Sequence, residues 1–249
     1  MSMPIIIEIN DAEARPELFG EIFSYFTSVD EKFSTYKATS EISAINRGEL
    51  SPDQWSADMQ EVFARSEETK HLTGGYFNIL TLEKKFDPSG LVKGWAIFNA
   101  AQILKKCGVR NFYVEAGGDI EVSGVNAAGQ PWRIGIENPF KTTATEKKEI
   151  VKTVQLSNKG IATSGSYKRG RHIYDPVKRS LATNDIVSLT VIGPNIYEAD
   201  RFATAAFAMG HCGIEFIGQL DGFEGYQIDK NGIATMTKGF RNYTAELHV

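Results

Sequence analysis

The chain has 249 residues, 42% of them hydrophobic and 23% charged, with a formal net charge of −4. That is the make-up of a globular protein able to bury a sizeable core, over residues 1–249 as one large domain or as two intimately packed subdomains. The charge gives no reason to expect nucleic acid or an anionic membrane as partner, so any phosphate must be bound by a local site and not by the overall field.

The opening stretch MSMPIIIEIN lacks the basic start, long apolar core and cleavage site of a secretory signal. No later segment approaches the roughly 18 apolar residues of a membrane span. A cytoplasmic location is the expectation. Two cysteines, Cys107 and Cys212, have no zinc spacing and are expected to be reduced, largely buried thiols.

Periodicity predicts a strand at Ile5–Ile9, then a helix over Glu17–Phe33 with Leu18, Ile22, Phe23 and Phe26 on its apolar face. Residues 39–52 read as loop or broken helix. A helix over Ser56–Leu72, with Met59, Val62 and Phe63 inward, stops at Gly74-Gly75, and another runs over Leu91–Cys107 to Gly108. Short β runs follow at Phe112–Glu115, Ile120–Val125, Trp132–Glu137, Val151–Leu156 and Ile161–Thr163. The chain then gives a strand at Val187–Ile192, a helix over Tyr197–Met209, a short helix at Ile214–Leu220, and a hairpin Tyr226–Met236 turned at residues 229–232. Early helices and later strands argue an α+β fold, with mixed or antiparallel sheets and packed helices.

Four segments carry chemistry. Asp87-Pro88-Ser89-Gly90, followed by Lys93 in the first turn of a helix, suits an anion near a helix N-terminus; an N-capping turn with a solvated lysine is the alternative. The diglycine of Glu115-Ala116-Gly117-Gly118-Asp119-Ile120 allows either close approach of a ligand or a tight turn. Residues 162–176, ATSGSYKRGRHIYDP, place His172 in a polar loop, which makes it a catalytic candidate, although a charged hairpin tip has the same composition. The Gly-x-Ser-x-Gly of a hydrolase elbow is absent there. Asp200 and Thr204 stand four apart at the start of a helix, so both oxygens leave one face. Carboxylate and hydroxyl are the hard ligands Mg²⁺ takes, while an Asp in a first turn also serves as a helix-dipole partner.

Taken together and in this order, SEISAIN, FDPSGLVKGWA, EAGGDIEVSG, IGIENP, ATSGSYKRGRHIYDP and ADRFATAAFAMG resemble the ApbE family, the FAD:protein FMN transferases. The resemblance runs from Ser34 to the Asp200–Thr204 helix. It implies that Asp87 and Lys93 contact FAD, and that the Gly90 carbonyl, Asp200 and Thr204 ligate Mg²⁺. It makes His172 the base and sets Ile173 beside the flavin nucleotide. Tyr36 and the Tyr76-Phe77-Asn78 turn are implied to pack on the cofactor. The implied reaction moves FMN from FAD onto a Thr or Ser hydroxyl of an acceptor flavoprotein, with release of AMP. An FAD pyrophosphatase and a non-catalytic FAD-binding protein are the alternatives. Asn78 stands where the family usually has Asp, and the spacer before Asp87 is nearly gone.

Overall fold

The computed structural model describes residues 3–11, 15–140, 149–165, 174–175, 180–181 and 185–244. In chain order the elements are β1 (Ile5–Ile9), α1 (Glu17–Phe33), α2 (Glu41–Asn46), α3 (Ala57–Leu72), α4 (Ser89–Lys106), β2 (Phe112–Ala116), β3 (Asp119–Ser123), β4 (Trp132–Glu137), β5 (Ile150–Leu156) and β6 (Lys159–Gly165). They continue with β7 (Tyr174–Asp175), β8 (Ser180–Leu181), β9 (Ile186–Gly193), α5 (Ile196–Ala208), α6 (Gly213–Gln219), β10 (Glu224–Asp229) and β11 (Ala234–Met236). The α+β expectation holds. Seven strands form one sheet in the order β1-β2-β3-β6-β9-β10-β11, and every pairing in it is antiparallel.

That sheet has a core on each face. Period-2 alternation sends Val114, Ala116, Ala162, Leu189 and Val191 toward the helices, where they meet Ile22, Phe26, Leu91, Ile97 and Phe202. The opposite face presents Ile120, Val122, Ile161, Ile192, Tyr226 and Ile228 to the hairpin β4–β5, which returns Trp132, Ile134, Val154 and Leu156. Trp132 also donates its indole N–H to the Ser123 carbonyl at 3.0 Å, joining hairpin to sheet. Strand β3 is consequently buried on both faces along its whole length. No helix among the described residues is long and apolar enough to cross a membrane.

Two expectations need correction. Phe23 is 45% exposed, because the buried stripe of α1 runs through Leu18, Ile22, Phe26, Val29 and Phe33, and Phe23 lies a helical step off it. Cys107 and Cys212 are free but exposed, not buried. Cys107 caps α4 beyond its last buried residue, Leu104, and Cys212 lies in the short 3-10 turn Gly210–Cys212.

Residues 39–52, read as loop or broken helix, contain the six-residue α2, capped by Ser40, whose side chain accepts from Ser43 N–H. Helix α5 approaches the sheet more closely than any side chain would allow. A Cβ on Gly160 would stand 2.0 Å from the Ile196 nitrogen and 2.2 Å from the Asn195 carbonyl carbon. Backbone cannot swing aside as a side chain can. Gly160→Ala should therefore lower stability by about 3 kcal/mol, the upper end of what overpacking costs, as read from urea unfolding midpoints.

Candidate active site

Helices α4 and α5 are pressed together along a seam of small residues. A Cβ on Gly94 would sit 2.6 Å from the Asp200 Cβ and 2.8 Å from the Ile196 carbonyl oxygen, so only glycine permits this approach. The bare backbone there also bonds: Gly94 N–H donates to Asp200 Oδ2 at 2.8 Å. One turn earlier on α4 and one turn later on α5, Thr204 Oγ1 donates to the Gly90 carbonyl at 3.2 Å. Residues more than 100 positions apart in the sequence are thus brought together across the seam: Gly90 with Thr204 directly, and Asp200 with Gly94 and Lys93.

Lys93 points inward, and the solvated-lysine alternative is set aside. Its ammonium pairs with Asp119 and lies 3.3 Å from Asp200 Oδ1, with its side chain 15% exposed. Asp119 is 1% exposed and also accepts from Thr163 N–H at 3.1 Å, so it ties α4 to both β3 and β6. Nothing in the spacing of the motifs singles out Asp119. Gly117 and Gly118 before it both take positive φ, 62° and 93°, and the turn delivers Asp119 to the helix-facing side of β3. Glu121, two residues on, faces the same way and is equally buried.

The remaining candidates are distributed as follows. Asp87 Oδ1 accepts from Ser89 N–H at 3.0 Å, the capping turn that the sequence allows, while Asp87 N–H donates to the Ile79 carbonyl. The preceding residue is clamped by Asn46, whose amide donates to the Phe86 carbonyl at 2.9 Å and accepts Phe86 N–H at 2.7 Å. Asn46 closes the SEISAIN stretch, and a side-chain amide that satisfies both backbone groups of one residue fixes the route of the chain into α4. Phe77 is buried, with a ring atom 3.4 Å from where a Gly90 Cβ would be. Tyr76 is half-buried, and Asn78 is exposed and accepts Leu80 N–H at 2.9 Å to make a turn. Tyr36 is 98% exposed. His172 and Ile173 lie outside the described residues. On the other face of the sheet, Gly118, Ile161 and Thr163 line a cleft closed by Ile134, Gly135 and Glu137 of β4.

The oxygens on the seam fit a hard cation: one carboxylate, one hydroxyl and one backbone carbonyl, with no sulfur or nitrogen among them. Among the described residues no cluster of three or more His, Cys, Asp or Glu competes for that role.

The profile of the ApbE family matches residues 1–84 and 80–226. The chain belongs to the ApbE family. Its sequence is 34% identical over 174 residues to an FAD:protein FMN transferase of Vibrio cholerae, covering 65% of this chain and 51% of that one. The corresponding Haemophilus influenzae protein is 27% identical over 251 residues, covering 76% of this chain and 72% of the relative. The aligned part thus spans about half the length of the Vibrio relative. Among solved structures, the flavin transferase ApbE from Vibrio cholerae superposes with a TM-score of 0.82 at 23% identity, over 98% of this chain and 96% of that chain. The ApbE protein of Thermotoga maritima gives a TM-score of 0.80 at 20% identity, over 98% and 100%. These structures establish the ApbE fold for the chain.

Burial raises the Asp200 carboxyl to about 7, with Asp119 pushing the same way and Lys93 opposing, and burial likewise raises Glu121 to about 7. Both groups bind a proton more tightly in the folded chain than in the unfolded one. The stability they contribute is greatest near pH 4 and is lost as pH climbs toward 7. In EDTA, the thermal midpoint is expected to fall between about pH 4 and pH 7. Asp200→Asn and Glu121→Gln should each flatten the slope in differential scanning fluorimetry.

Proposed function

We propose that this ApbE-family chain is a Mg²⁺-dependent FAD:protein FMN transferase, which moves FMN from FAD to a threonine or serine hydroxyl of an acceptor flavoprotein and releases AMP. The observation that carries the reading is the convergence of the Gly90 carbonyl, Asp200 and Thr204 on one helix seam, in a chain of this family. These three residues would hold the ion, which when bound would supply charge neutralisation at the pyrophosphate. Lys93, between Asp119 and Asp200, would add a fixed positive charge toward the FAD phosphates. Asp87 and the Tyr76–Asn78 turn lead into that seam and would orient the nucleotide, with Tyr36 and Ile173 packing on the flavin half. His172 would take the proton of the acceptor hydroxyl as its oxygen attacks the FMN-side phosphorus. The new O–P bond forms as the P–O bond to AMP breaks, and AMP carries off the negative charge.

The test is to incubate the protein with FAD, Mg²⁺ and a candidate acceptor and to read the acceptor's intact mass. A gain of one FMN supports transfer; free FMN and AMP with no mass gain would instead assign a pyrophosphatase. Asp200→Ala should stay folded, since Lys93 keeps Asp119 as its partner, and should lose nearly all Mg²⁺-dependent turnover. Wild-type turnover across a Mg²⁺ titration would return Asp200 to a structural role.

His172→Asn separates an enzyme from a carrier. A general base contributes about 10²–10⁴-fold to rate and little to ground-state binding. FAD affinity by calorimetry should stay near wild type while single-turnover transfer slows by at least about two decades. Equal losses in both would make His172 a contact residue instead.

A further inference from the structure

Helix α5 begins on a buried carboxylate. Glu121, 1% exposed on β3, accepts the Ile196 N–H at 2.7 Å through Oε2. Ile196 is the first residue of α5, and its amide is one of the donors a helix cannot satisfy internally. Asn195 takes a second one, its side chain accepting from Glu198 N–H at 3.0 Å. Across the sheet from Glu121, in register on β6, is Gly160, whose missing side chain leaves the space that Ile196 fills. The start of α5 is therefore gripped on two sides, by an acceptor from β3 and by bare backbone of β6. The ammonium of Lys105 on α4 lies 3.8 Å from the other Glu121 oxygen.

The grip reaches the site through spacing. Ile196, Asp200 and Thr204 follow one another at intervals of four, so they share one stripe of the helix. The Ile196 carbonyl already stands against Gly94, the residue that bonds Asp200. With a rise of about 1.5 Å per residue, any slip at Ile196 is passed along a rigid helix to both oxygens.

We propose that Glu121 is a positioning residue for the cation chemistry at Asp200 and Thr204, holding the first amide of α5 against the sheet and so setting where the ligand stripe meets α4. The proposal rests on the reading of Asp200 and Thr204 as ligands. Glu121 acts through the Ile196 N–H that it accepts, one helical turn from Asp200. Its oxygen accepts Ile196 N–H whether the carboxyl is charged or protonated, so shape and an acceptor at that place are what the role requires.

The test uses the full chain and MnCl₂ as probe, with free Mn²⁺ read by electron paramagnetic resonance. Glu121→Met keeps the volume and removes the acceptor; Glu121→Asp keeps the charge and withdraws the oxygens by one methylene. Each should weaken Mn²⁺ binding by about 10–100-fold, the range for residues that orient metal ligands. Glu121→Gln keeps an acceptor and should stay within about threefold of wild type. Val122→Ala, facing the opposite core on the same strand, is the control for general destabilisation and should leave Mn²⁺ affinity unchanged. Hydrogen exchange supplies the second readout: Ile196 should lose protection by at least about tenfold in the Met and Asp variants while β3 and β6 keep theirs. Wild-type Mn²⁺ affinity in either of those variants, or an equal loss in Val122→Ala, overturns the role of Glu121. If wild type binds no Mn²⁺, the ligand reading fails and the proposal with it, an outcome distinct from the first because it is seen before any substitution is made.

Discussion

The approach of α4 to α5 at Gly94 and Asp200 is the constraint on which the rest of the site depends. The absence of a Cβ at Gly94 lets the Asp200 carboxylate reach the backbone, and the N–H it accepts there fixes one of its oxygens. The other oxygen faces the Lys93 ammonium. Thr204 and Gly90 follow as the next pair along the same seam. The small residues of α5, Ala199, Ala203 and Ala206, are fully buried and let the helix lie flat against α4 and the sheet, so the seam costs little in packing while concentrating oxygens at one end.

Electrostatics sharpen this arrangement. Two buried carboxylates, Asp119 and Asp200, share one lysine, which leaves the cluster one positive charge short when both are ionised. Isolated ions are costly to bury, and here the deficit is met by lifting the proton affinity of Asp200. A divalent cation at this place would remove the deficit. With Lys93 between them, the two carboxylates leave the cluster with a local excess of negative charge when both are ionised.

Element positions were legible in the sequence because glycines and periodicity mark them: β1 and β4 run over the expected residues, while the start of α3 and both ends of β9 shift by one. The pair Asp200 and Thr204 could be read because a spacing of four has one meaning on a helix. Asp119 and Glu121 could not. In a strand, acids alternating with Ile120 and Val122 ordinarily mark the solvent side, and here that side is covered by α4 and α5 while the hairpin β4–β5 covers the other. Which faces of a sheet are covered is a tertiary fact that no local window contains. Phe23 and the two cysteines are exposed for the converse reason: apolar character does not secure burial away from the buried stripe of a helix.

The seam also bears on how the chain folds. Gly94 and Asp200 are separated by 106 positions, and Gly90 and Thr204 by 114. Strands β2, β3, β6 and β9 lie between them in the chain and pair within one sheet. Contacts of such long range form late, after the loop-closure entropy has been overcome by the sheet. A cation that needed both helices would find no site before they meet. Any stabilisation it supplied would come afterwards, by mass action on the finished structure and by slowing its unfolding.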